Sequence, residues 1–410
     1  MNIGLFTDSY YPEISGLVTS INTLQKELKN RGHRVYIFTT SNPGTESKCP
    51  SVFRLPSMPF IFFKSRRVGL FYSSRAAKCV KHLKLDLIHT QTEFSLGIFG
   101  TIMSKQLNIP LVHTYHTLYK DYVHYISKGK FKNVSNDIVR ILSRNYCNSC
   151  NTVIVPSLKV YDLLENYGVN KPIKVIPTGI ELDRFKMKNY NESGLLKLRE
   201  SLGIKADDPV ILFIGRVAKE KSIDIVIRQL PKVLEHLPNA KFLIVGDGLS
   251  TKSLMELVKK LDIEASVIFA GERPWGQIAM FYKLGDVFVS PSITETQGLT
   301  IIEAMASDIP VVARNDRNIE GLIQDNINGR IFMSETELPG ILIEVLTNKE
   351  LAKNYVLNAE ETVEEYSAEQ FGKNIETLYN EVIESKSKAN KKGYSTRKKF
   401  KNFSINKTNF

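Results

Sequence analysis

The stretch Val287-Phe-Val-Ser-Pro-Ser-Ile-Thr-Glu295-Thr-Gln-Gly-Leu-Thr-Ile-Ile-Glu303-Ala-Met-Ala306 decides the fold. Its first three residues are apolar and two of them are β-branched, which predicts a parallel strand that is buried on both faces. A polar turn follows as far as Gly298, and the apolar spacing beyond it predicts a helix from Gln297 to Ala306. A strand that passes through a short turn into a helix is the repeating unit of a parallel α/β sheet.

Two carboxylates flank the start of this predicted helix, because Glu295 precedes it and Glu303 lies on it. The first backbone N–H groups of a helix have no internal partner and lie at the positive end of the helix dipole, so a phosphate can bind there. Nearby carboxylates can accept hydrogen bonds from the hydroxyls of a sugar or a ribose. An ordinary capping turn with two surface glutamates is the alternative interpretation, and the other informative stretches favour the ligand site.

The same alternation of strand and helix recurs on both sides of this stretch. A chain of 410 residues is expected to form two domains rather than a single core. Parallel strands joined by helices connect through right-handed crossovers, so both halves are predicted to be doubly wound α/β domains. The predicted strands span residues 2–7, 34–40, 85–90, 110–116, 153–157 and 174–177 in the first half, and residues 209–215, 241–246, 266–271, 287–289 and 310–313 in the second.

Hydropathy and charge narrow the class of protein. The hydrophobic fraction of 42% and the mean hydropathy of −0.15 are typical of a globular chain, and no apolar run approaches the roughly 20 residues that span a bilayer. The first residues read as a strand and not as a leader, so we expect the protein to stay in the cytoplasm. The net charge of +12 is concentrated in two stretches: fourteen Lys and Arg against four Asp and Glu give +10 over residues 60–145, and nine Lys and Arg without an acid give +9 over residues 386–410.

Four further residues lie where an α/β sheet binds its ligands. Arg216 and Lys221 follow the predicted strand 209–215, and two cations there can hold a diphosphate, with the arginine as a bidentate clamp. His116 ends its strand at the carboxyl edge, where open α/β sheets bind ligands. Gly16 precedes a predicted helix and allows the backbone to approach a ligand closely. A solvated loop, a structural histidine and a plain turn glycine are the alternatives.

Together these motifs resemble those of the retaining glycosyltransferases of family four, over about residues 2–383. The motifs are Glu295-x7-Glu303 with Gln297-Gly-Leu299 between, the Gly215-Arg216…Lys221 loop, Pro177-Thr-Gly179…Phe185 and Thr114-Tyr-His116. The resemblance implies the GT-B fold, in which two doubly wound Rossmann-like domains face each other across a cleft and a C-terminal helix crosses back to the first domain. We therefore expect an acceptor domain at residues 1–185, a nucleotide-sugar domain at 186–366, the returning helix at 367–384 and a basic, disordered tail at 385–410.

The same resemblance implies roles for the candidate site residues in a front-face transfer with retention. Preorganised cations and amides stabilise the charge that develops on the diphosphate, whose leaving oxygen takes the proton of the acceptor. No Asp-x-Asp motif is present, so we expect neither a tightly bound cofactor nor a protein metal site, although Mg²⁺ can still stimulate such a transfer. By this resemblance Glu303 holds the ribose hydroxyls, Glu295 and His116 contact the transferred sugar, and Arg216 and Lys221 neutralise the diphosphate. The backbone N–H groups of Gln297, Gly298 and Leu299 meet sugar or phosphate oxygens. Gly16 allows the first loop to close over the phosphates.

A narrower resemblance indicates the acceptor. The stretches Thr114–Tyr125, Ser15–Thr19 and Glu295–Thr300 are most similar to bacterial diacylglycerol glucosyltransferases. This implies glycolipid synthesis, in which glucose passes from UDP-glucose to diacylglycerol and gives monoglucosyldiacylglycerol. The enzyme would be peripheral on the inner face of the cell membrane. It would bind anionic lipid through residues 60–145, where the apolar Phe60–Phe63 lies beside basic residues, and through its basic tail.

Three other functions fit parts of the sequence. A family-four transferase with a soluble or polyprenyl-linked acceptor needs no basic membrane face. A basic nucleic-acid-binding protein would explain the net charge, but the basic residues are not interleaved with a recognisable binding module, so we expect no nucleic-acid partner. A nicotinamide oxidoreductase is disfavoured, because the first strand is not followed by Gly-x-Gly-x-x-Gly.

Overall fold

The computed structural model describes residues 1–13, 15–42, 50–59, 67–69, 71–116, 132–186 and 191–405, with the backbone alone for residues 132–136 and 391–405. The chain divides into two compact units. The first unit comprises Met1–Pro177 and Phe371–Phe410, and the second comprises Thr178–Gln370. Each unit contains one large parallel sheet, which confirms the prediction of two doubly wound α/β domains.

The first unit is organised by strands β1 (Asn2–Phe6), β2 (Arg34–Thr40), β3 (Val52–Leu55), β4 (Ser57–Pro59), β5 (Arg67–Gly69), β6 (Leu87–Thr90), β7 (Leu111–Thr114), β8 (Thr152–Val155) and β9 (Ile173–Val175). Seven of them form one sheet in the order β3-β2-β1-β6-β7-β8-β9, while β4 and β5 pair as an antiparallel ribbon. Strands β6, β7 and β8 are buried along their whole length, as strands covered by helices on both faces must be. The strand order reverses between β1 and β6, where such a sheet leaves a crevice at its carboxyl edge.

The helices of the first unit are α1 (Gly16–Asn30), α2 (Ser74–His82), α3 (Ser95–Leu107), α4 (Lys132–Asn148) and α5 (Leu158–Asn166). The C-terminal α13 (Ala368–Ile405) belongs to this unit from Phe371 onward. Helix α13 packs on one face of the sheet, where Phe371, Ile375 and Leu378 share a core cluster with Ile3 and Leu24. The predicted return of the last helix to the first domain is therefore confirmed. Within the described ranges, no helix combines the length and the apolar character needed to cross a membrane.

The second unit contains strands β10 (Val210–Ile214), β11 (Lys241–Val245), β12 (Val267–Gly271), β13 (Val287–Ser290), β14 (Val311–Arg314) and β15 (Arg330–Phe332). Its helices are α6 (Glu192–Ser201), α7 (Ile223–Leu234), α8 (Thr251–Lys260), α9 (Ile278–Tyr282), α10 (Leu299–Ala306), α11 (Leu338–Thr347) and α12 (Lys349–Glu365). The sheet runs in the order β12-β11-β10-β13-β14-β15, and all neighbouring strands are parallel. The order therefore reverses between β10 and β13.

Two boundaries differ from those that the sequence predicted. Ile180, Leu182 and Phe185 pack in the core of the second unit, so the chain enters that unit at Thr178 and not at residue 186. Helix α13 continues to Ile405, where a disordered tail was predicted from residue 385, and residues 406–410 lie outside the described ranges. The physical reason is that Lys, Arg and Ala favour helix strongly, and an established helix extends at little cost.

Candidate functional site

Three charged site residues of the second unit lie on two turns at the point where the strand order reverses. Strands β10 and β13 are neighbours in the sheet. The turn after β10 contains Arg216 and Lys221, and the turn after β13 contains Glu295. Because parallel strands end at the same edge, these turns lie side by side where open α/β sheets bind their ligands.

Lys221 and Glu295 form an ion pair between the two turns, in which Lys221 Nζ donates a short hydrogen bond to Glu295 Oε1. Their side chains are 17% and 20% exposed, so the pair is partly shielded from water. Two hydroxyls hold the turns together, because Ser292 Oγ and Thr294 Oγ1 donate to the carbonyl oxygen of Glu220 at 3.4 and 3.2 Å. A cation and a carboxylate in this position can contact an anionic oxygen and a hydroxyl of one ligand.

Glu303 lies on helix α10 with only 4% of its surface exposed. Tyr282 Oη, on helix α9, donates a hydrogen bond to its Oε2 at 2.7 Å. Burial raises the pKa of Glu303 to about 7, while the Tyr282 hydroxyl and the positive charge of Arg184 oppose that rise. The carboxyl group therefore keeps its proton to a higher pH than an exposed glutamate does, and hydroxyl donors from a ligand would favour its ionised form.

Arg216 pairs within its own loop. Its Nη2 donates to Glu220 Oε1 at 2.7 Å, and its side chain is 50% exposed. The loop is supported by close backbone packing, because a Cβ added to Gly246 would lie 1.9 Å from the carbonyl oxygen of Gly215. The predicted contact of Arg216 with a diphosphate stays a prediction, and its exposure leaves the guanidinium accessible to a ligand.

The turn that begins helix α10 is anchored by the side chain of Gln297. Its Nε2 donates to Thr178 O and its Oε1 accepts from Thr178 N, both at 2.8 Å. The Gln297 amide is thus used within the protein, and the predicted ligand role falls to the backbone N–H. Gly298 follows with a φ of +83°, in the left-handed region that favours glycine, and Leu299 is the first residue of the helix. The predicted role of these backbone N–H groups stays a prediction.

In the first unit, His116 follows strand β7 and is half-buried. Its Nε2 lies 2.7 Å from Oε1 of Gln91, which follows β6. An amide oxygen only accepts, so Nε2 carries the proton and Nδ1 presents a lone pair. Burial, together with repulsion from His113, lowers the pKa of His116 to about 3. The ring is therefore neutral at physiological pH, and its Nδ1 can accept a hydrogen bond from a sugar hydroxyl.

Gly16 is the first residue of helix α1 and is exposed. Ser15 caps this helix, because its Oγ accepts from Val18 N at 3.4 Å. The exposed position is compatible with the predicted approach to phosphates. The remainder of the predicted acceptor motif, residues 117–125, lies outside the described ranges, as does the apolar Phe60–Phe63.

The second unit thus brings together a cation, two carboxyl groups and the start of a helix. Lys221, Glu295 and Glu303 supply the charged groups, and the combination suits an anionic ligand that also carries hydroxyls. In the part of the chain that the structure describes, no group of three or more His, Cys, Asp and Glu side chains is arranged to hold a metal ion.

Comparison with known proteins decides the family. Residues 14–184 match the family described as Glycosyltransferase Family 4, and residues 196–362 match Glycosyl transferases group 1. The chain is 40% identical over 384 residues to the alpha-monoglucosyldiacylglycerol synthase of Streptococcus pneumoniae, an alignment that covers 93% of this chain and 86% of that protein. The chain belongs to glycosyltransferase family 4. It is also 35% identical over 395 residues to the alpha-monoglucosyldiacylglycerol synthase of Acholeplasma laidlawii, covering 95% of this chain and 99% of that one.

Solved structures share the fold of this family-4 glycosyltransferase. HepE from Anabaena, in complex with UDP, has a TM-score of 0.74 at 22% identity, covering 93% of this chain and 100% of HepE. The structure of HepE with UDP-glucose has a TM-score of 0.72 at 21% identity, with the coverage again 93% and 100%. The predictions of the GT-B fold, of the family and of a glycosyltransferase are therefore confirmed.

Sequence reasoning did not identify two residues that hydrogen-bond to the candidate site residues. No motif links Tyr282 to Glu303, because Tyr282 lies on the helix before β13 and the two residues meet only through packing. Gln91 could have been found, because it directly follows the predicted strand 85–90. It therefore had to lie at the same edge of the sheet as His116.

Proposed function

We propose that this family-4 glycosyltransferase transfers glucose from UDP-glucose to diacylglycerol, with retention of the anomeric configuration. The observation that carries the proposal is the 40% and 35% identity, over nearly the whole chain, to two proteins named alpha-monoglucosyldiacylglycerol synthase. The donor is supported by a second observation, because UDP-glucose is the ligand of a HepE structure with the same fold.

The second unit binds the donor in this proposal. Lys221 and Arg216 neutralise the diphosphate while the bond between glucose C1 and its diphosphate oxygen breaks. The acceptor hydroxyl forms the new bond to C1 and gives its proton to the departing oxygen, so that UDP and the glycolipid are the products. Glu295 accepts hydrogen bonds from glucose hydroxyls and Glu303 from the ribose. The Lys221–Glu295 pair supports this assignment, because it holds a cation and a carboxylate within reach of one donor molecule.

The acceptor implies work at a membrane, since diacylglycerol stays in the bilayer. Helix α2 and the residues before it support attraction to an anionic surface. Arg75, Lys78 and Lys81 are exposed there, and so are the aromatic side chains of Phe71 and Tyr72. A basic side chain near an anionic leaflet contributes about 1 kcal/mol, and an exposed aromatic ring can enter the interface. The proposal therefore includes a peripheral location on the inner face of the cell membrane.

Radiolabelled UDP-glucose tests the donor and the acceptor together. The enzyme is incubated with mixed liposomes that contain anionic lipid, with or without diacylglycerol, and the lipid products are separated by chromatography. We expect one labelled glycolipid with an α-linkage, formed only when diacylglycerol is present and formed much more slowly from UDP-galactose. Label that enters only a soluble or polyprenyl-linked acceptor would overturn the acceptor and leave the family unchanged.

A pair of isosteric variants provides the control for this assay. Glu295→Gln removes the charge from the pair with Lys221 and should lower turnover strongly while UDP still binds. Glu256→Gln makes the same chemical change at an exposed position on helix α8 and should keep wild-type activity. Equal turnover by both variants would show that Glu295 does not contact the reacting sugar.

A further inference from the structure

Asn318 has a buried side-chain amide with unsatisfied polar atoms. The residue is 5% exposed, and neither its Oδ1 nor its Nδ2 has a hydrogen-bond partner among the residues that the structure describes. Buried polar side chains in folded proteins are nearly always hydrogen-bonded, because an unsatisfied amide loses its contacts with water without replacement. Among the described residues, Asn318 is the one side chain with two polar atoms in this state, which favours a partner from outside the protein.

The amide faces the turn that begins helix α10. Strands β13 and β14 are neighbours, so the loop after β14, which contains Asn318, lies beside the loop that contains Glu295. A Cβ added to Gly298 would lie 3.3 Å from Asn318 Nδ2. Any larger residue at Gly298 would therefore crowd the amide, which lies beside the first backbone N–H groups of the helix.

A side-chain hydrogen bond and a buried neighbour fix the backbone of Asn318. Asp316 Oδ1 accepts a hydrogen bond from Asn318 N at 3.0 Å, and the next residue, Ile319, is buried in the core of the second unit. A side chain whose backbone is fixed in this way loses little freedom when it binds a ligand. The arrangement is that of a rigid recognition group and not of a mobile surface side chain.

The chemistry of the amide selects the ligand group. Nδ2 donates and Oδ1 accepts, so full satisfaction needs a partner that can do both. A phosphate oxygen only accepts and would leave Oδ1 without a donor, whereas a sugar hydroxyl donates and accepts. We propose that Asn318 is a specificity-determining residue that hydrogen-bonds a hydroxyl of the donor hexose. This inference rests on the proposed use of a UDP-hexose and adds a residue to the set that reads its sugar.

Deoxy donors test the contact directly. Initial rates with diacylglycerol liposomes are measured for UDP-glucose and for its 2-, 3-, 4- and 6-deoxy analogues, with wild type, Asn318→Ala and Asn318→Leu. With UDP-glucose, both variants should show a roughly 10- to 100-fold lower kcat/KM, as expected for the loss of a buried hydrogen bond to substrate. With the one analogue that lacks the contacted hydroxyl, wild type and variants should have equal kcat/KM. The affinity for UDP alone should be unchanged.

Stability measurements separate recognition from a structural role. Both Asn318 variants should melt at or above the wild-type temperature, because they remove polar atoms that have no partner in the described structure. Asn328 is the matched control: it is equally buried, but its Nδ2 donates to Leu322 O and Thr362 Oγ1 at 3.1 Å and its Oδ1 accepts from Gln324 N at 2.7 Å. Asn328→Ala should lower the melting temperature and leave the ratios between donors as in wild type.

Three results would overturn the inference. The variants could keep the same rate deficit with every deoxy donor, they could weaken UDP alone as much as UDP-glucose, or they could lower the melting temperature as Asn328→Ala does. Each of these results would show that Asn318 does not recognise a hydroxyl of the sugar. These results differ from failure of the proposed function, in which the wild-type enzyme itself turns over no UDP-hexose.

Discussion

Replacement of Glu303 by glutamine should flatten the pH dependence of the stability of the second unit. Glu303 is 4% exposed, and burial raises the pKa of its carboxyl group from 4.5 to about 7. Because the folded-state pKa is the higher one, the fold retains a proton that the unfolded chain has already released. The stabilisation is complete below pH 4.5 and is lost as the pH rises through about 7.

The magnitude follows from the two pKa values. One pKa unit corresponds to about 1.4 kcal/mol, so with a pKa that rises from 4.5 to about 7 the fold should be roughly 3 kcal/mol less stable at alkaline pH than at acid pH. Most of this difference should appear between about pH 5 and 8. A glutamine side chain has the same shape, accepts the Tyr282 hydrogen bond through its amide oxygen and does not titrate. The free energy of unfolding of Glu303→Gln should therefore depend less steeply on pH than that of wild type.

Urea unfolding at about pH 5, 6.5 and 8 measures the effect. Trp275 is the single tryptophan of the sequence and lies in the second unit, so its fluorescence follows the unfolding of that unit. The exposed Glu256→Gln is the matched control and should keep the wild-type slope. Equal slopes for wild type and Glu303→Gln would refute the reasoning, since Glu303 would then titrate at its ordinary pKa.

Four other outcomes are expected. Lys221→Ala should cost about 2–4 kcal/mol of transition-state stabilisation with little change in melting temperature. A large drop in melting temperature with unchanged kinetic constants would show that the role of the loop is structural. Gln297→Ala should lower the urea midpoint of the second unit by the equivalent of about 1–2 kcal/mol, because two hydrogen bonds are lost. In the proposed function ribose hydroxyls donate to Glu303 and favour its ionised form, so UDP binding should release a fraction of a proton near neutral pH, which titration calorimetry in buffers of different ionisation enthalpy measures. Arg75→Glu with Lys78→Glu should weaken sedimentation with anionic liposomes, whereas equal wild-type binding to neutral and anionic vesicles would contradict electrostatic attraction.

Local patterns in the sequence predicted eleven of the fifteen strands that the structure describes, missing β3, β4, β5 and β15, and they predicted which residues lie at the carboxyl edge of each sheet. Fully apolar, β-branched runs such as residues 287–289 are stable only when both faces are covered, so their alternation with helices predicts parallel sheets. A polar residue directly after such a strand must lie at the carboxyl edge. Lys221, Glu295 and His116 could therefore be singled out before any contact was known. Glu303 was chosen as a candidate for a different reason, because it lies on the helix that follows the strand and turn.

Only the tertiary structure decided which of these side chains meet and how they ionise. Tyr282 reaches Glu303 because helices α9 and α10 pack together, and Gln297 reaches Thr178 across 119 residues of sequence. The pKa of Glu303 depends on its burial by several elements, and the isolation of the Asn318 amide depends on the absence of a partner within reach in the described structure. Hydrogen bonds and desolvation act over a few ångströms between segments that are remote in sequence, and local propensity does not encode those distances. For the same reason only packing decided that Ile180, Leu182 and Phe185 belong to the second unit, whereas sequence reasoning had placed them at the end of the first domain.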